Sequence, residues 1–130
     1  FFPIIEQEKI KDKIVEPQVN YIIKIDNITA KILGIKNPEI TKNAINNSSM
    51  VIKMQVNQKK ILFLGDTGVE SSEKLIKNQG ENLSADIVQV AHHGQAGATE
   101  ELYKMVKPEI CLWPTPEWLW SNNSDGTEDS

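Results

Sequence analysis

Apolar residues recur along this chain in two rhythms, a strict alternation and a helical spacing, and their order predicts the elements. Tyr21, Ile23 and Ile25 share one face of a strand, because successive residues of an extended chain point to opposite sides. Asp26-Asn27 follows, and both residue types tolerate the left-handed conformations of a tight turn. Ile28 to Ile35 then alternates, with Ile28, Ala30 and Ile32 inward, to complete a hairpin. A polar loop rich in asparagine and serine runs from Asn37 to Ser49. Met50, Ile52, Met54 and Val56 resume the alternation, and a turn falls near Asn57-Gln58. Ile61-Leu62-Phe63-Leu64 is an unbroken apolar run, the pattern of a strand covered on both faces.

Beyond Asp66 the spacing turns helical. Thr67-x-x-Glu70 reads as a capping box, in which two side chains satisfy the first free amides of a helix. Leu75 and Ile76 fall on the buried side of that helix and Gly80 stops it. Ala85 to Ala91 is a second nearly continuous apolar strand, running into His92-His93-Gly94. Thr99 can cap another helix, with Leu102, Met105 and Val106 at helical spacing and Pro108 just past its end. Ile110 to Trp113 reads as a last short strand. The opening Phe1 to Asn20, punctuated by Pro3 and Pro17, shows no clear period and leaves room for one short strand. The tail, residues 121–130, reads as a mobile polar extension. Residues 1–130 together read as a single, partial domain of the α/β (α+β) class.

Composition agrees with one domain and narrows its partners. The 130 residues are 39% hydrophobic and 25% charged, enough for a modest core. A net charge of -4 argues against broad attraction to phosphate backbones, though a bound metal can be the largest charge in a site. Every basic residue is lysine, so arginine's bidentate phosphate clamp is absent. One cysteine, Cys111, rules out an internal disulfide and a cysteine-rich zinc site. No apolar run is long enough to span a bilayer. The first residue is phenylalanine, so the chain is expected to be a processed product or an excised piece. The wealth of lysine, isoleucine and asparagine points to an AT-rich bacterial genome. The compartment stays open between the cytoplasm and the outer face of the cytoplasmic membrane.

The chemistry-bearing unit is strand, helix, strand. A crossover of this length sets Ile61–Leu64 and the strand ending at Ala91 parallel. Their C-terminal ends then meet at one sheet edge, where open α/β sheets bind ligands. One strand delivers Gly65-Asp66 to that edge and the other delivers His92-His93-Gly94. Carboxylate and imidazole together are ligands for zinc, manganese or iron. Gly65 and Gly94 allow sharp turns there. Neighbouring histidines on a strand point opposite ways, so one aims at the metal and the other at substrate or a supporting partner. Parity leaves the choice open; His92 is the expected ligand, and His93 is the expected catalytic group and the alternative ligand.

Asn46-Asn-Ser-Ser-Met-Val51, Ile61-Leu-Phe-Leu-Gly-Asp66 and Ala85-Asp-Ile-Val-Gln-Val-Ala-His-His-Gly94 resemble the later motifs of the metallo-β-lactamase superfamily. The branch they resemble most is the hydrolase domain at the end of the competence DNA-uptake channel protein ComEC. The resemblance covers roughly residues 46–114. It implies the second half of an αββα sandwich, a mixed sheet with flanking helices. It also implies two divalent ions, Zn2+ with Mn2+ as the alternative, and hydrolysis by a metal-bound hydroxide. The family's bridging aspartate falls on Asp66 and its late histidine ligand on His92 or His93. A phosphodiester substrate, small or nucleic-acid, follows from the resemblance alone. Gln95 stands where the branch has serine, and Gln89 where it often has lysine. The family's His-x-His-x-Asp-His signature is missing, since His92 and His93 are the only two histidines. The missing half of the domain is therefore the expected covalent partner, and the chain alone is expected to be nearly inactive.

Plainer readings compete. Asp66 can be a carboxylate stabilised at a helix start, and the histidine pair an ordinary strand end. Asp66-Thr67-Gly68 also matches an aspartic-protease motif, which needs two such aspartates side by side. A non-catalytic binding module on the same fold is the main alternative to the hydrolase. Trp113, Trp118 and Trp120 are expected to pack against the sheet, with the lining of a substrate cleft as the sharper alternative, Cys111 to be a small buried residue, and Asn46–Ser49 to be a turn. Lys59-Lys60 is expected to guard an edge strand.

Overall fold

The computed structural model describes residues 11–121. The readings made on residues 1–10 and on the tail, residues 122–130, lie outside the described residues. Six strands form one mixed sheet: β1 (Ile22–Ile25), β2 (Ile28–Gly34), β3 (Val51–Val56), β4 (Lys59–Phe63), β5 (Ile87–Gln89) and β6 (Ile110–Leu112). Their order in the sheet is their order in the chain. Three helices accompany them: α1 (Val69–Gln79), α2 (Glu100–Val106) and the short α3 (Glu117–Trp120).

The first three pairings are antiparallel and the last two parallel. Two-residue turns close the hairpins at Asp26-Asn27 and Asn57-Gln58, where Asp26 (φ 49°) and Asn57 (φ 54°) are left-handed. Helices α1 and α2 are the crossovers β4–α1–β5 and β5–α2–β6. They lie on the same side of the sheet, because parallel crossovers wind with one hand. Leu33, Val51, Leu62 and Val88 face them and join Leu75, Leu83, Leu102 and Val106 in the core.

The opposite face is also apolar. One row crosses every strand, Ile23–Ala30–Met54–Ile61–Ile87–Ile110, and beside it run Ile52 and Phe63. These side chains are half-buried or exposed, from Ile61 and Phe63 in the middle to Ile110 at 52%. Here the structure corrects the expectation. The alternation of Ile28, Ala30 and Ile32 is as read, but of the three only Ile32 is buried, because the helices cover the other side. Among the described residues the helices cover the apolar run of β4 on one face only, with Leu62 fully buried and Phe63 half-buried.

Local chemistry also departs from expectation at the start of α1. Thr67 turns its hydroxyl back to the Leu64 carbonyl (2.5 Å), and the helix begins at Gly68 with no cap from its own side chains. The cap comes instead from Asn47, whose Oδ1 accepts from the Ser71 amide at 3.0 Å. A side chain at position 68 would collide with it, since a β-carbon there stands 2.7 Å from Asn47 Oδ1. Helix α2 is capped as read, Thr99 Oγ1 accepting from the Leu102 amide. Lys59 and Lys60 open β4, an interior strand, so they guard no edge; Lys59 pairs with Glu109 at 3.2 Å. Cys111 is exposed rather than buried, because the end strand β6 has no neighbour on its far side among the described residues. No helix among the described residues is long and apolar enough to cross a membrane.

Candidate functional site

Strands β2, β4, β5 and β6 all end at one edge of the sheet, since two antiparallel steps or a parallel one preserve direction. The loops there carry Asp66 after β4, His92 and His93 after β5, and Trp113 to Thr115 after β6. Residues 46–49, before β3, reach the same edge. The expected parallel pairing of β4 and β5 is present, with Ile61 opposite Ile87.

Several bonds hold the Asp66 loop. Gln89 Oε1 accepts from the Leu64 amide (3.0 Å) and the Gly65 amide (2.8 Å), stapling the end of β4 to β5. Ser49 Oγ accepts from the Asp66 amide at 3.0 Å. The His92 amide donates to the Gly65 carbonyl at 3.0 Å, joining the aspartate and histidine loops directly. From below, the Tyr103 hydroxyl accepts from the Ala91 amide at 2.9 Å. Burial pushes the Tyr103 pKa up, so the hydroxyl keeps its proton.

The two histidines do not extend the strand, and the parity argument fails for that reason. His92 (φ 50°, ψ 46°), His93 (φ 55°, ψ 19°) and Gly94 (φ 82°) are three successive left-handed residues. Such a backbone costs on the order of 1 kcal/mol for each non-glycine residue, and strain of this kind collects at functional sites. The turn sends the rings to different places. His93 Nε2 lies 3.8 Å from Asp66 Oδ1, and both side chains are about half exposed, at 49% and 43%. His92 turns inward, its Nε2 3.4 Å from Asn46 Nδ2, and its buried Nδ1 has no hydrogen-bond partner.

His93 is gripped by the loop after β6. Its Nδ1 meets the Pro114 carbonyl at 2.8 Å. Its own carbonyl accepts from Trp113 Nε1 (2.9 Å) and Thr115 Oγ1 (2.7 Å). The indole of Trp113 lies against Gly94, where a β-carbon would stand 1.9 Å from Nε1. Trp113 and Trp120 meet edge to face with centroids 6.0 Å apart. Trp113, Trp118 and Trp120 are 52%, 61% and 69% exposed, so the expected packing against the sheet is not what holds them.

Asp66 and His93 are thus brought together, while His92, the expected ligand, meets Asn46 instead. Among the described residues, no group of three or more histidine, cysteine, aspartate or glutamate side chains converges as a metal cage. Carboxylate and imidazole are both metal-ligand types, and two ligands held at about 2.0–2.1 Å by one tetrahedral ion stand roughly 3.3 Å apart, closer than the 3.8 Å between His93 Nε2 and Asp66 Oδ1. Asn46, Ser49 and Thr115 are site residues to which local reading of the sequence assigns no site role, whereas for Trp113 a substrate cleft is the sharper alternative. The clustering of Asn46–Ser49 among the family-like motifs is the signal for the first two.

The surroundings carry one strongly shifted group. Glu70, at the start of α1, is held down to about 2, first by its bond to Lys42 and then by its own backbone amide and the Asn47 side chain. The Lys42 ammonium lies 2.9 Å away.

No protein-family profile matches this chain. It is similar to ComE operon protein 3 of Bacillus subtilis (strain 168), at 27% identity over 92 residues. The match covers 70% of this chain but 12% of that protein. The chain therefore spans a small fraction of its relative's length.

Proposed function

We propose that the chain is the later half of a metal-dependent hydrolase domain of the metallo-β-lactamase type, related to the hydrolase domain of ComEC-like proteins. The observation that carries this reading is the approach of Asp66 to His93 at 3.8 Å, from the ends of two parallel strands. In this reading Asp66 and His93 supply two ligands, and the remaining ligands come from the other half of the same domain. When bound, a divalent ion supplies Lewis acidity and lowers the pKa of water to about 7. The chain's own residues then set orientation. Ser49 and Gln89 fix the Asp66 loop, Pro114 fixes the His93 ring, and Trp113 and Thr115 hold the His93 carbonyl.

The second apolar face of the sheet supports the same reading. A sheet with α1 and α2 on one side and, on the other, an apolar row across six strands that is half-buried to exposed among the described residues is compatible with one half of a two-sheet sandwich, whose inner faces pack about 10 Å apart. The proposed occupant is a sheet from the preceding part of the same polypeptide. A phosphodiester is the proposed substrate class, resting on the resemblance of the motifs in residues 46–114 to the metallo-β-lactamase superfamily alone.

The test is elemental analysis of the intact parent protein and its Asp66→Ala variant, alongside hydrolysis of bis-p-nitrophenyl phosphate. At least one equivalent of metal should be lost in the variant and turnover should collapse. Unchanged metal content would remove Asp66 from the site. A parent that lacks a His-x-His-x-Asp-His segment and binds no metal would instead make the fold a binding module.

A further inference from the structure

The helix side of the sheet holds a cavity of about 200 Å3 that the hydrolase reading leaves unused. It lies between α1 and the loop that follows β2, behind the loop that carries Asp66. Its floor is core: Leu33, Val51 and Leu75 are 2%, 1% and 6% exposed. Buried polar side chains, Thr67, Ser71 and Gln79, line its inner wall. Its mouth is formed by exposed residues, Val19, Lys36, Pro38 and Asn78. A dry cavity of about 150 Å3 takes up benzene, so this one has room for a single ring and a short substituent.

Charge at the mouth narrows the ligand. Lys36 is paired with Glu16, and Lys74 donates to Glu39 (2.5 Å) and to Asn37 Oδ1 (2.6 Å). Both lysines that reach the cavity are therefore neutralised by carboxylates. A charged ligand would enter an apolar space with no unpaired counter-ion among the described residues, at the full desolvation penalty.

We propose that this cavity is a binding site for a small uncharged molecule, one aromatic ring or branched aliphatic group in size, with one hydrogen-bonding substituent. Occupancy bears on Asp66 from behind. Ser49 lines the cavity and its Oγ accepts from the Asp66 amide at 3.0 Å, while Thr67 follows Asp66 in the chain. The proposal is independent of any metal at the edge.

Ligand-observed NMR with phenol as the probe tests it on the full 130-residue chain. Phenol should show saturable binding. Asn78→Trp, which plugs the mouth from an exposed position on α1, should reduce the saturable component at least tenfold. Lys77→Trp, one residue earlier and outside the lining, should leave it intact, and benzoate and benzylammonium should bind at least tenfold more weakly than phenol. Circular dichroism confirms that each variant is folded. Absence of saturable binding overturns the proposal. So does binding that survives Asn78→Trp, which would place phenol on the apolar sheet face instead.

Discussion

The carbonyl oxygen of Pro114 stands 2.8 Å from His93 Nδ1. A carbonyl only accepts, so the contact requires the proton on Nδ1 and leaves the lone pair of a neutral ring on Nε2. Nε2 is the atom turned to Asp66. The loop after β6 thereby decides which nitrogen of His93 is free to ligate, the arrangement by which metal-binding histidines are commonly oriented. The carbonyl of His93 is tied to the same loop through Trp113 and Thr115, so ring and backbone are held by one short segment.

Loosening that segment should weaken the metal binding proposed above without removing a proposed ligand. Thr115→Val deletes one of the two side-chain donors to the His93 carbonyl. In the intact parent protein its metal affinity should fall about 10- to 100-fold, read by competition with a chromogenic chelator. An unchanged affinity would show that His93 is positioned by other contacts.

Gly94→Ala should be severe. The new β-carbon would stand 1.9 Å from the Trp113 indole nitrogen, at a φ of 82°. Overpacking costs about 1–3 kcal/mol and the left-handed backbone adds on the order of 1 kcal/mol. Urea unfolding should show a loss of roughly 2–4 kcal/mol. Adding Trp113→Gly should recover more than 1 kcal/mol of it, because the two positions are coupled by one clash.

Asn47 holds the start of α1 from a distance. It is fully buried and bonds the Ser71 amide, the Lys42 carbonyl and Glu70. Asn47→Ala should cost about 1–2 kcal/mol, the upper part of the range for a lost helix cap. Thr67→Ala, the expected cap, should not change hydrogen exchange at the Ser71 amide, whereas Asn47→Ala should accelerate it.

Glu70 makes the acid limb of stability testable. Its folded pKa, about 2, lies below the ordinary carboxylate value of 4.5. The stability it contributes is complete above that ordinary value and is lost as pH falls through about 2. Between pH 5 and about 2, the chain should therefore lose more stability than its Glu70→Gln variant does. Parallel acid titrations of the two would remove Glu70 from this role.

The two faces of β4 should answer differently to the same change. Leu62→Glu places a charge in the helix-covered core, where Leu62 is 0% exposed, and should abolish the cooperative unfolding transition. Phe63→Glu, one residue on, falls on the uncovered face. It should leave helicity near normal and reduce self-association of the isolated chain, measured by sedimentation. Equal effects of the two would mean that the second face is buried as well.

Strands, turns and helices were legible in the chain itself because each depends on neighbours within a few residues. Alternation marked β1 to β3, an unbroken apolar run marked β4, Asp26-Asn27 and Asn57-Gln58 closed the hairpins, and Thr99 capped α2. The parallel pairing of β4 and β5, and with it the meeting of Asp66 with a histidine at one edge, followed from crossover length and handedness alone. Period-two alternation, however, is blind to which side the crossovers take, so only the tertiary structure decided that Leu62 is core and Phe63 is not. It also decided between His92 and His93 as neighbour of Asp66. That choice rests on three left-handed residues held by Trp113, Pro114 and Thr115, contacts made across some twenty residues of chain, which local periodicity does not record.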